Sequence, residues 1–417
     1  MKIAVVGAGI VGVTTAWELA GDGHQVTVIE RRGAAAEEAS FANAGLVAPG
    51  YVTPWAAPGM PTKVLGHLLS RHAPVRVGLP LSGHELRWMW RWFRACKLET
   101  YLAHRAHLQK LAFYSRERLH QVTANLQLDY ERSDGYMVLL RSARDSKLVQ
   151  PGLQVLRQAG VNFREISPTQ AREIEPALNP DTAFFGAVYL PDDEVGNCRQ
   201  FALMLKNDAQ RQGVEFLFNA SVAHLASDRA GAVLLAGEKL PRQFDAVVIC
   251  AGLDSVRLLA PLGLRVPMAG VHGYSVSATI REPLNAPRSA VMDERYKIAI
   301  SRMGNRVRVA GSAEIGGDPD AKRADAVQTL YKVLHDWFPG AASLSNGVQE
   351  WKGTRPMMPD GPPVIGVSGL AGVWLNLGHG SSGWALSCGS ARIVADLIGG
   401  RKPDLDVSGF GAERLRA

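Results

Sequence analysis

A glycine-rich turn near the N-terminus has the residue types and spacing needed to bind a pyrophosphate. Gly7, Gly9 and Gly12 fit the pattern GxGxxG, between an apolar stretch of β-strand type and a helical stretch. There, glycines permit a tight turn and let backbone N–H groups approach a phosphate at a helix N-terminus. Glu30 ends the next apolar stretch, near the offset of about twenty residues at which a carboxylate binds ribose hydroxyls. The pattern predicts a dinucleotide site, although a turn that only packs a helix is the alternative; Glu30 would repel the 2′-phosphate of NADP.

Three later segments favour FAD over NAD as this dinucleotide. They contain Ser40, Asn43 and Gly45, then Ala251 and Gly252, then Gly378, His379, Gly380, Ser381, Ser382 and Gly383. The last segment directly precedes the final predicted helix, whose N-terminus offers free amides and the positive end of the helix dipole. That position suits the negative charge on a reduced flavin ring, whereas a nicotinamide needs no third anchor. We therefore predict FAD, with further contacts from Ile10, Val11, Arg31 and Val222.

The order of predicted elements indicates an α/β protein with two interleaved domains. A chain of 417 residues exceeds the usual size of one hydrophobic core. Strand and helix patterns of nucleotide-binding type recur at its beginning, middle and end, with antiparallel strands predicted before the last of them. We predict a Rossmann-like FAD-binding domain from residues 1–48, 193–270 and 352–417. A substrate domain with a mostly antiparallel sheet and added helices takes residues 49–192 and 271–351.

Composition excludes several classes of protein. The formal charge is +7, but no run of five Lys or Arg residues occurs, so no nucleic-acid partner is predicted. The four cysteines form no CxxC pair, which predicts neither a metal site nor a disulfide framework and fits a reducing compartment. The chain begins with a strand pattern instead of a signal peptide, and no uninterrupted apolar run is long enough to span a bilayer. We expect a cytoplasmic protein whose membrane contact, if any, is peripheral.

Eight sequence segments resemble one family. The chain is similar to the FAD-dependent D-amino acid oxidase superfamily, and most closely to its bacterial branch, the D-amino acid dehydrogenases. The segments are SFANAGLVAPGYVTPWAAPG (40–59), RHAP (71–74), LRWMWRW (86–92), LPDDEVGNC (190–198), GYS (273–275), YKIAISR (296–302), GTRPMMPDGPPVIG (353–366) and LNLGHGSSGW (375–384). The resemblance covers nearly the whole chain. It implies FAD, a substrate-domain sheet over the flavin, oxidation of a D-amino acid to an imine and delivery of electrons to a respiratory acceptor such as a quinone.

The same resemblance implies the residues that bind the substrate. Arg355 matches the Arg-Pro of the family motif, and its planar fork suits a carboxylate better than Lys does. An arginine in a structural ion pair is the alternative. Tyr274 and Tyr51, the latter in a long glycine- and proline-rich loop at residues 43–61, are predicted to add hydroxyl contacts. A buried tyrosine with a satisfied hydroxyl is the alternative for both.

Two histidines need separate interpretation. His272 stands before the GYS triplet, where the resembling enzymes usually have Lys. It either alters flavin electrostatics or substrate preference, or is an ordinary buried histidine with a satisfied ring. His379 lies in the last glycine turn, where we predict flavin packing and not a general base. No strong base is needed if the bound amine is neutral, because hydride transfer from Cα to flavin N5 then depends on positioning.

A predicted helical region over residues 86–124 begins with an unusual amphipathic segment. Plotted at 100° per residue, Arg87, Arg91 and Arg94 share one strip, and tryptophans such as Trp88 and Trp92 share the remaining arc with other apolar residues. Such a helix fits an anionic membrane surface, where quinone would be reached. A buried core helix with one wet edge explains the same pattern.

Three functions remain open from the sequence. The first is oxidative deamination of D-amino acids to 2-oxo acids and ammonia. The second is a D-proline or hydroxyproline dehydrogenase, or a glycine or sarcosine type of amine oxidase, on the same scaffold. The third is a non-catalytic nucleotide-binding protein, because fold alone does not fix function.

Overall fold

The computed structural model describes residues 1–67, 72–225 and 231–416. Arg71 of the RHAP segment lies outside these described residues, as do short parts of the predicted domain ranges. The α-helices are α1 (Ile10–Gly21), α2 (Met60–His67), α3 (Gly83–Ala95), α4 (Leu98–Leu126), α5 (Ala143–Gln158), α6 (Pro168–Ile174), α7 (Cys198–Arg211), α8 (Ser255–Leu259), α9 (Ala324–Trp337) and α10 (Gly383–Ile398). The first ten strands are β1 (Lys2–Val6), β2 (Gln25–Ile29), β3 (Leu46–Val47), β4 (Val75–Gly78), β5 (Ser133–Leu140), β6 (Arg164–Ile166), β7 (Gly186–Val195), β8 (Glu215–Leu217), β9 (Val222–Leu225) and β10 (Ala232–Leu235). The others are β11 (Arg242–Gln243), β12 (Ala246–Ile249), β13 (Ala269–Thr279), β14 (Ala290–Asp293), β15 (Ile298–Met303), β16 (Arg306–Gly316), β17 (Gln349–Met357), β18 (Val364–Val367) and β19 (Val373–Leu377).

A mostly parallel sheet forms the first layer, in the order β18-β19-β12-β1-β2-β8. β1 pairs in parallel with β2 and β12, and only β18 runs antiparallel to its neighbour. Alternate β1 residues belong to two different cores: Ile3 and Val5 pack with α1, α4, α7 and α10, while Ala4 and Val6 pack with α8 and the small sheet β9–β11. Burial on both faces explains the continuous apolar sequence of β1. The predicted Rossmann-like sheet is confirmed.

A larger, mostly antiparallel sheet forms the second layer. Its main order is β17-β13-β16-β15-β14-β5-β7-β3, with β4 paired to β16 and β6 paired to β7. One face is covered by α9, whose apolar residues pack against side chains of β13, β15 and β16. In the middle of the opposite face, cross-strand neighbours include Ala299 and Ala310, which leave open space above the sheet. The predicted antiparallel substrate sheet is confirmed.

Several sequence boundaries differ from those of the elements. Residues 193 and 352, chosen as domain limits, fall inside β7 and β17 of the larger sheet. The region 86–124, predicted to be helical, consists of two helices, because α3 ends at Ala95 and α4 begins at Leu98. The break lets the two helices pack differently: α3 lies against β13, whereas α4 joins α1 and α10 in the core beside the parallel sheet.

Candidate active site

One large cavity lies between the two sheets. Its volume is about 1980 Å³, and the residues that line it come from both layers. On the parallel sheet they follow the carboxyl ends of β1, β2, β12 and β19, the edge where open α/β sheets bind their ligands. All of the predicted dinucleotide residues line this cavity except Gly12.

The turn after β1 requires its glycines for steric reasons. A Cβ on Gly12 would lie 1.8 Å from the carbonyl oxygen of Gly7, so Gly12 serves the packing of the turn and not contact with the cavity. Gly7 has a φ of +103°, and a Cβ there would lie 2.7 Å from the Cys250 carbonyl oxygen. Gly9 is the N-cap of α1, and the next amide, of Ile10, donates to Ser40 Oγ at 3.0 Å. The turn therefore presents a helix N-terminus to the cavity.

Glu30 is fixed beside this turn by two backbone amides. Its Oε2 accepts from the Ala8 N–H at 2.7 Å, and its Oε1 accepts from the Arg32 N–H at 2.7 Å. A carboxylate has about four acceptor positions, so each oxygen keeps capacity for a ribose hydroxyl. Arg31 also lines the cavity, but its guanidinium is paired with Glu38 near the surface.

The last glycine turn follows β19 and lines the cavity at the same edge of the parallel sheet. Gly378 and Gly380 have φ values of +79° and +56°, which favour glycine. This turn is a 3-10 helix at Gly380–Ser382, α10 begins directly after it, and the N-cap residue of α10, Ser382, makes no side-chain capping bond. His379 is buried with its Nε2 hydrogen-bonded to Ser390, and burial lowers the pKa of His379 to about 3. A histidine in that state packs the turn and is neutral at pH 7.

Arg355 is the most unusual side chain in the cavity wall. Its Nη1 donates to the Ser312 carbonyl at 2.9 Å, and its guanidinium carbon lies 5.9 Å from the centre of the Trp55 ring. Among the residues that the structure describes, no carboxylate forms an ion pair with it. Desolvation lowers the pKa of Arg355 to about 10, which leaves it positively charged at neutral pH. Arg355 is half-buried, and a desolvated cation without a counterion is costly unless a ligand supplies the negative charge.

Two tyrosines lie near the open face of the large sheet. Tyr51, in the turn of Pro49–Tyr51, makes an edge contact with Tyr136 at a ring-centre distance of 5.4 Å. Both rings line the cavity, and desolvation raises the pKa of each well above its usual value. Their hydroxyls therefore remain protonated at neutral pH. The contact of Tyr51 with substrate stays a prediction.

The remaining two predicted substrate residues are already engaged with protein groups. The Tyr274 hydroxyl donates to Glu314 Oε2 at 2.5 Å, and its ring packs in the core with α9. Its contact with substrate stays a prediction that requires this bond to be shared or broken. His272 is buried outside the cavity lining, and its Nδ1 is hydrogen-bonded to Thr354 Oγ1 at 2.9 Å. This placement supports a satisfied buried histidine.

Comparison with known proteins agrees with this geometry. The family model described as "FAD dependent oxidoreductase" (DAO) matches residues 2–397. The chain belongs to this family. It is 42% identical over 423 residues to a D-amino acid dehydrogenase of Bradyrhizobium diazoefficiens, covering 99% of both chains.

Solved structures show the same fold at lower identity. An L-proline dehydrogenase from P. horikoshii aligns with a TM-score of 0.76 and 18% identity, covering 100% of this chain and 97% of the other. A glycine oxidase from Geobacillus kaustophilus aligns with a TM-score of 0.74 and 23% identity, covering 99% and 98%. These likenesses concern the fold alone, and the family membership makes this chain an FAD-dependent enzyme.

The cavity residues fit FAD. The glycine turn and α1 suit the pyrophosphate, Glu30 suits the ribose, and the uncapped start of α10 suits a flavin ring that gains negative charge. These groups lie along one continuous cavity. FAD is the cofactor, and its individual contacts remain predictions.

Sequence reasoning missed several large side chains in the lining. They include Trp55, Tyr136, Met292, Trp351, Lys352 and Trp384. Alternation along β17 could have indicated Trp351, because it lies four positions before Arg355 and alternate residues of a strand share one face. Tyr136 and Met292 reach the cavity from β5 and β14, which pair in parallel although distant in sequence, so no local pattern indicates them.

Proposed function

We propose that this protein oxidises D-amino acids to 2-oxo acids and ammonia and passes the electrons to a quinone-type acceptor. The observation that carries the proposal is Arg355, a half-buried guanidinium in the cavity wall without a protein carboxylate among the described residues. A carboxylate ligand would complete the ion pair. The name of the Bradyrhizobium diazoefficiens relative supports D-amino acids as the substrate class.

Arg355 would bind and orient the substrate. Its Nη1 is held by Ser312, and Nη2 lies closest to Gly273, where a Cβ would come within 2.3 Å of it. A larger residue at position 273 would displace the guanidinium group of Arg355. Tyr51, which lines the same cavity, would add a neutral hydroxyl donor, because its raised pKa prevents a competing negative charge. Two fixed donors would set the direction in which Cα presents its hydrogen.

The bound FAD supplies the hydride acceptor, at flavin N5. Hydride loss from Cα lets the amine lone pair form a C=N bond, and water then converts the imine to a 2-oxo acid and ammonia. His379 cannot accept the amine proton near neutral pH, since its pKa is about 3 and its Nε2 is bonded to Ser390. The amine would therefore lose its proton to solvent before the hydride moves.

The face of the larger sheet that lines the cavity would provide an apolar surface for this step. Ala299 and Ala310 are cross-strand neighbours that line the cavity and are almost fully buried. Met292, opposite Ala299 on the next strand, extends the same apolar surface. Small and apolar side chains leave room for a substrate while limiting access of water to its Cα.

Anaerobic flavin bleaching tests the proposed reaction. Purified protein should be yellow, and D-alanine should bleach it faster than L-alanine does. Bleaching by D-proline or sarcosine but not by D-alanine would indicate the secondary-amine alternative. A colourless protein that does not bind added FAD would indicate a non-catalytic member of the fold.

The acceptor proposal rests on the outer surface of α3. For Trp88 the buried alternative holds, because this ring is 6% exposed and its Nε1 donates to the Met357 carbonyl at 2.8 Å. Trp92 is half-buried in the same cluster. Trp90 and Phe93 instead face outward, with 61% and 53% exposure. α3 therefore has an inner face that packs against the protein and an outer face with exposed aromatic side chains.

The outer aromatic face has basic and apolar surroundings. Exposed apolar side chains extend onto α4 at Leu98 and Leu102, and the exposed cations Arg87, Arg91 and Arg94 belong to the same helix as Trp90. No helix within the described residues is long and apolar enough to cross a membrane. We propose that this surface rests peripherally on anionic lipid at the cytoplasmic face of a bacterial inner membrane.

α3 also connects this surface to the cofactor cavity. Trp88 binds the carbonyl of Met357, and Met357 pairs with His379 in the last glycine turn. Only α3 and the residues packed against it would therefore separate a membrane-bound acceptor from the flavin end of the cavity. Anaerobic substrate should reduce a soluble quinone analogue when the enzyme is present, and rapid reduction of oxygen with no reduction of quinone would contradict this acceptor.

Liposome co-sedimentation tests the surface. Binding to anionic vesicles should fall at high salt and in a variant with Arg87, Arg91 and Arg94 changed to Gln, since each cation contributes about 1 kcal/mol near an anionic surface. Trp90→Ala should also weaken binding. Neutral vesicles are the matched control, and equal negligible binding by parent and variants would remove this surface as the contact.

A further inference from the structure

Arg308, a buried arginine on β16, lies behind the loop of residues 40–45, which the sequence predicts to contact the flavin. Arg308, on β16, is 8% exposed. Its Nε donates to Ser277 Oγ at 2.9 Å, and its Nη1 donates to the carbonyl oxygen of Asn43 at 3.0 Å. No ion pair with a carboxylate is found for it in the described part of the chain. Burial lowers the pKa of Arg308 to about 10, so it keeps its charge at neutral pH.

The loop is held from behind at three successive carbonyl groups. Arg308 donates to Asn43, and Ser301 Oγ donates to the Ala44 carbonyl at 2.8 Å. The Gly45 carbonyl accepts from the Gly196 N–H at 2.9 Å and from Trp384 Nε1 at 3.1 Å. Only the first of these donors is a charged side chain. The loop residues themselves line the cavity, whereas Arg308 does not.

The geometry of a trans peptide links the Asn43 carbonyl to the cavity. In a trans peptide the C=O and the following N–H point in opposite directions. The carbonyl of Asn43 is directed to Arg308, so the N–H of Ala44 is directed away from it. This N–H has no acceptor among the described residues, while the next one, of Gly45, is bonded to Asn43 Oδ1 at 3.0 Å. The Ala44 amide is therefore a donor of this loop that remains free for a ligand and is the one coupled to Arg308 through its own peptide group.

We propose that Arg308 is a positioning residue that tunes the flavin through the Asn43–Ala44 peptide. Its charge polarises the peptide, strengthens the Ala44 N–H as a donor to bound FAD and favours the reduced cofactor, which carries more negative charge. The inference rests on FAD binding and is independent of the substrate proposed above. A neutral donor on the same carbonyl would hold the loop without this electrostatic effect.

The midpoint potential of the holoenzyme tests the proposal, by equilibration with a reference dye under dithionite titration. Arg308→Gln removes the charge but keeps an N–H donor, and Arg308→Lys keeps the charge. The Gln variant should lower the ratio of reduced to oxidised FAD affinity about tenfold, which equals about 30 mV for a two-electron couple. The Lys variant should stay within about threefold of the parent.

Two matched controls separate this effect from loop disorder. Arg306→Gln removes a charge two residues away on β16, where the side chain bonds the Ser277 carbonyl. Ser301→Ala removes a donor from the next loop carbonyl, whose peptide N–H does not face a free ligand position. Both should leave the potential unchanged. Fluorescence titration of the apoproteins with FAD measures the oxidised affinity separately.

Three results would overturn the proposal. The first is a potential of Arg308→Gln equal to that of the parent. The second is an equal change in the Gln and Lys variants, which would mean that shape and not charge matters. The third is a loss of oxidised FAD affinity with no change in potential, which would give Arg308 only a loop-holding role. If Arg308→Gln does not retain FAD, the Lys variant tests the proposal alone. A tenfold fall in its ratio of reduced to oxidised FAD affinity would contradict a role of charge.

Discussion

Replacing Arg355 with Leu should separate substrate binding from the stability of the protein. The pKa of Arg355 falls from an ordinary value of 12.5 to about 10 because the surrounding protein desolvates the guanidinium. At 1.36 kcal/mol per pKa unit, burial disfavours the charged form by about 3 kcal/mol. A substrate carboxylate would offset this cost. The Leu variant removes the cost together with the ligand's partner, so the free protein should unfold at nearly the same temperature as the parent.

The expected loss of affinity follows from the same geometry. Removing one partner of a buried, hydrogen-bonded charge pair costs about 2–5 kcal/mol, so the dissociation constant for D-alanine should rise at least about 30-fold. Arg355→Lys should recover only part of this, since an ammonium cannot make the bidentate contact. Arg306→Leu is the matched control. Arg306 lies on the same sheet, but its guanidinium donates to the main-chain carbonyls of Ser277 and Gly347.

Anaerobic stopped-flow reduction of the flavin measures this constant directly, and FAD titration of the apoprotein measures cofactor binding. The Leu variant should retain FAD with nearly normal affinity. An apparent affinity for D-alanine within about threefold of the parent would place the carboxylate site elsewhere. A large fall in melting temperature would show instead that Arg355 stabilises the fold.

Three further predictions concern the cofactor and pH. FAD should bind without a covalent link, so acid precipitation should release the yellow colour into the supernatant; a coloured pellet would contradict this. Gly12→Ala should abolish FAD binding because its Cβ would lie 1.8 Å from a backbone oxygen, whereas Gly9→Ala, with a nearest contact of 3.5 Å, should weaken binding only moderately; equal FAD titrations would refute the steric argument. Burial raises the pKa of Asp193 from 3.8 to about 7, so the protonated carboxyl contributes its full stability below pH 3.8, and this contribution is lost as pH rises from there through about 7. In urea unfolding, Asp193→Asn should therefore gain stability relative to the parent across that range and then level off, and a constant difference would be inconsistent with this titration.

Local sequence signals were sufficient for the cofactor half of the site. The turn at Gly7 and the turn at Gly378 are each continuous in sequence, and each needs glycine because its backbone has a positive φ or meets another backbone closely. A strand before and a helix after each turn are also local patterns. These signals predicted the parallel sheet and the helix α10 directly after the last glycine turn.

The substrate half depended on pairing between distant strands. Arg355 faces Val271 across β17 and β13, and the tyrosine pair joins the turn after β3 to β5. Such contacts depend on register over many residues, which composition and periodicity do not specify. The sequence resemblance indicated Arg355 but could not show that no carboxylate within the described ranges forms an ion pair with it.

The amphipathic segment at 86–94 shows the same division most clearly. Its sequence determined a helix with a basic strip, because side-chain direction repeats every 3.6 residues whatever the surroundings. Only the tertiary structure decided that Trp88 is buried against β17 while Trp90 is exposed. Periodicity gives the angle between two side chains on a helix, whereas the neighbouring elements determine which of those angles faces the core and which faces solvent.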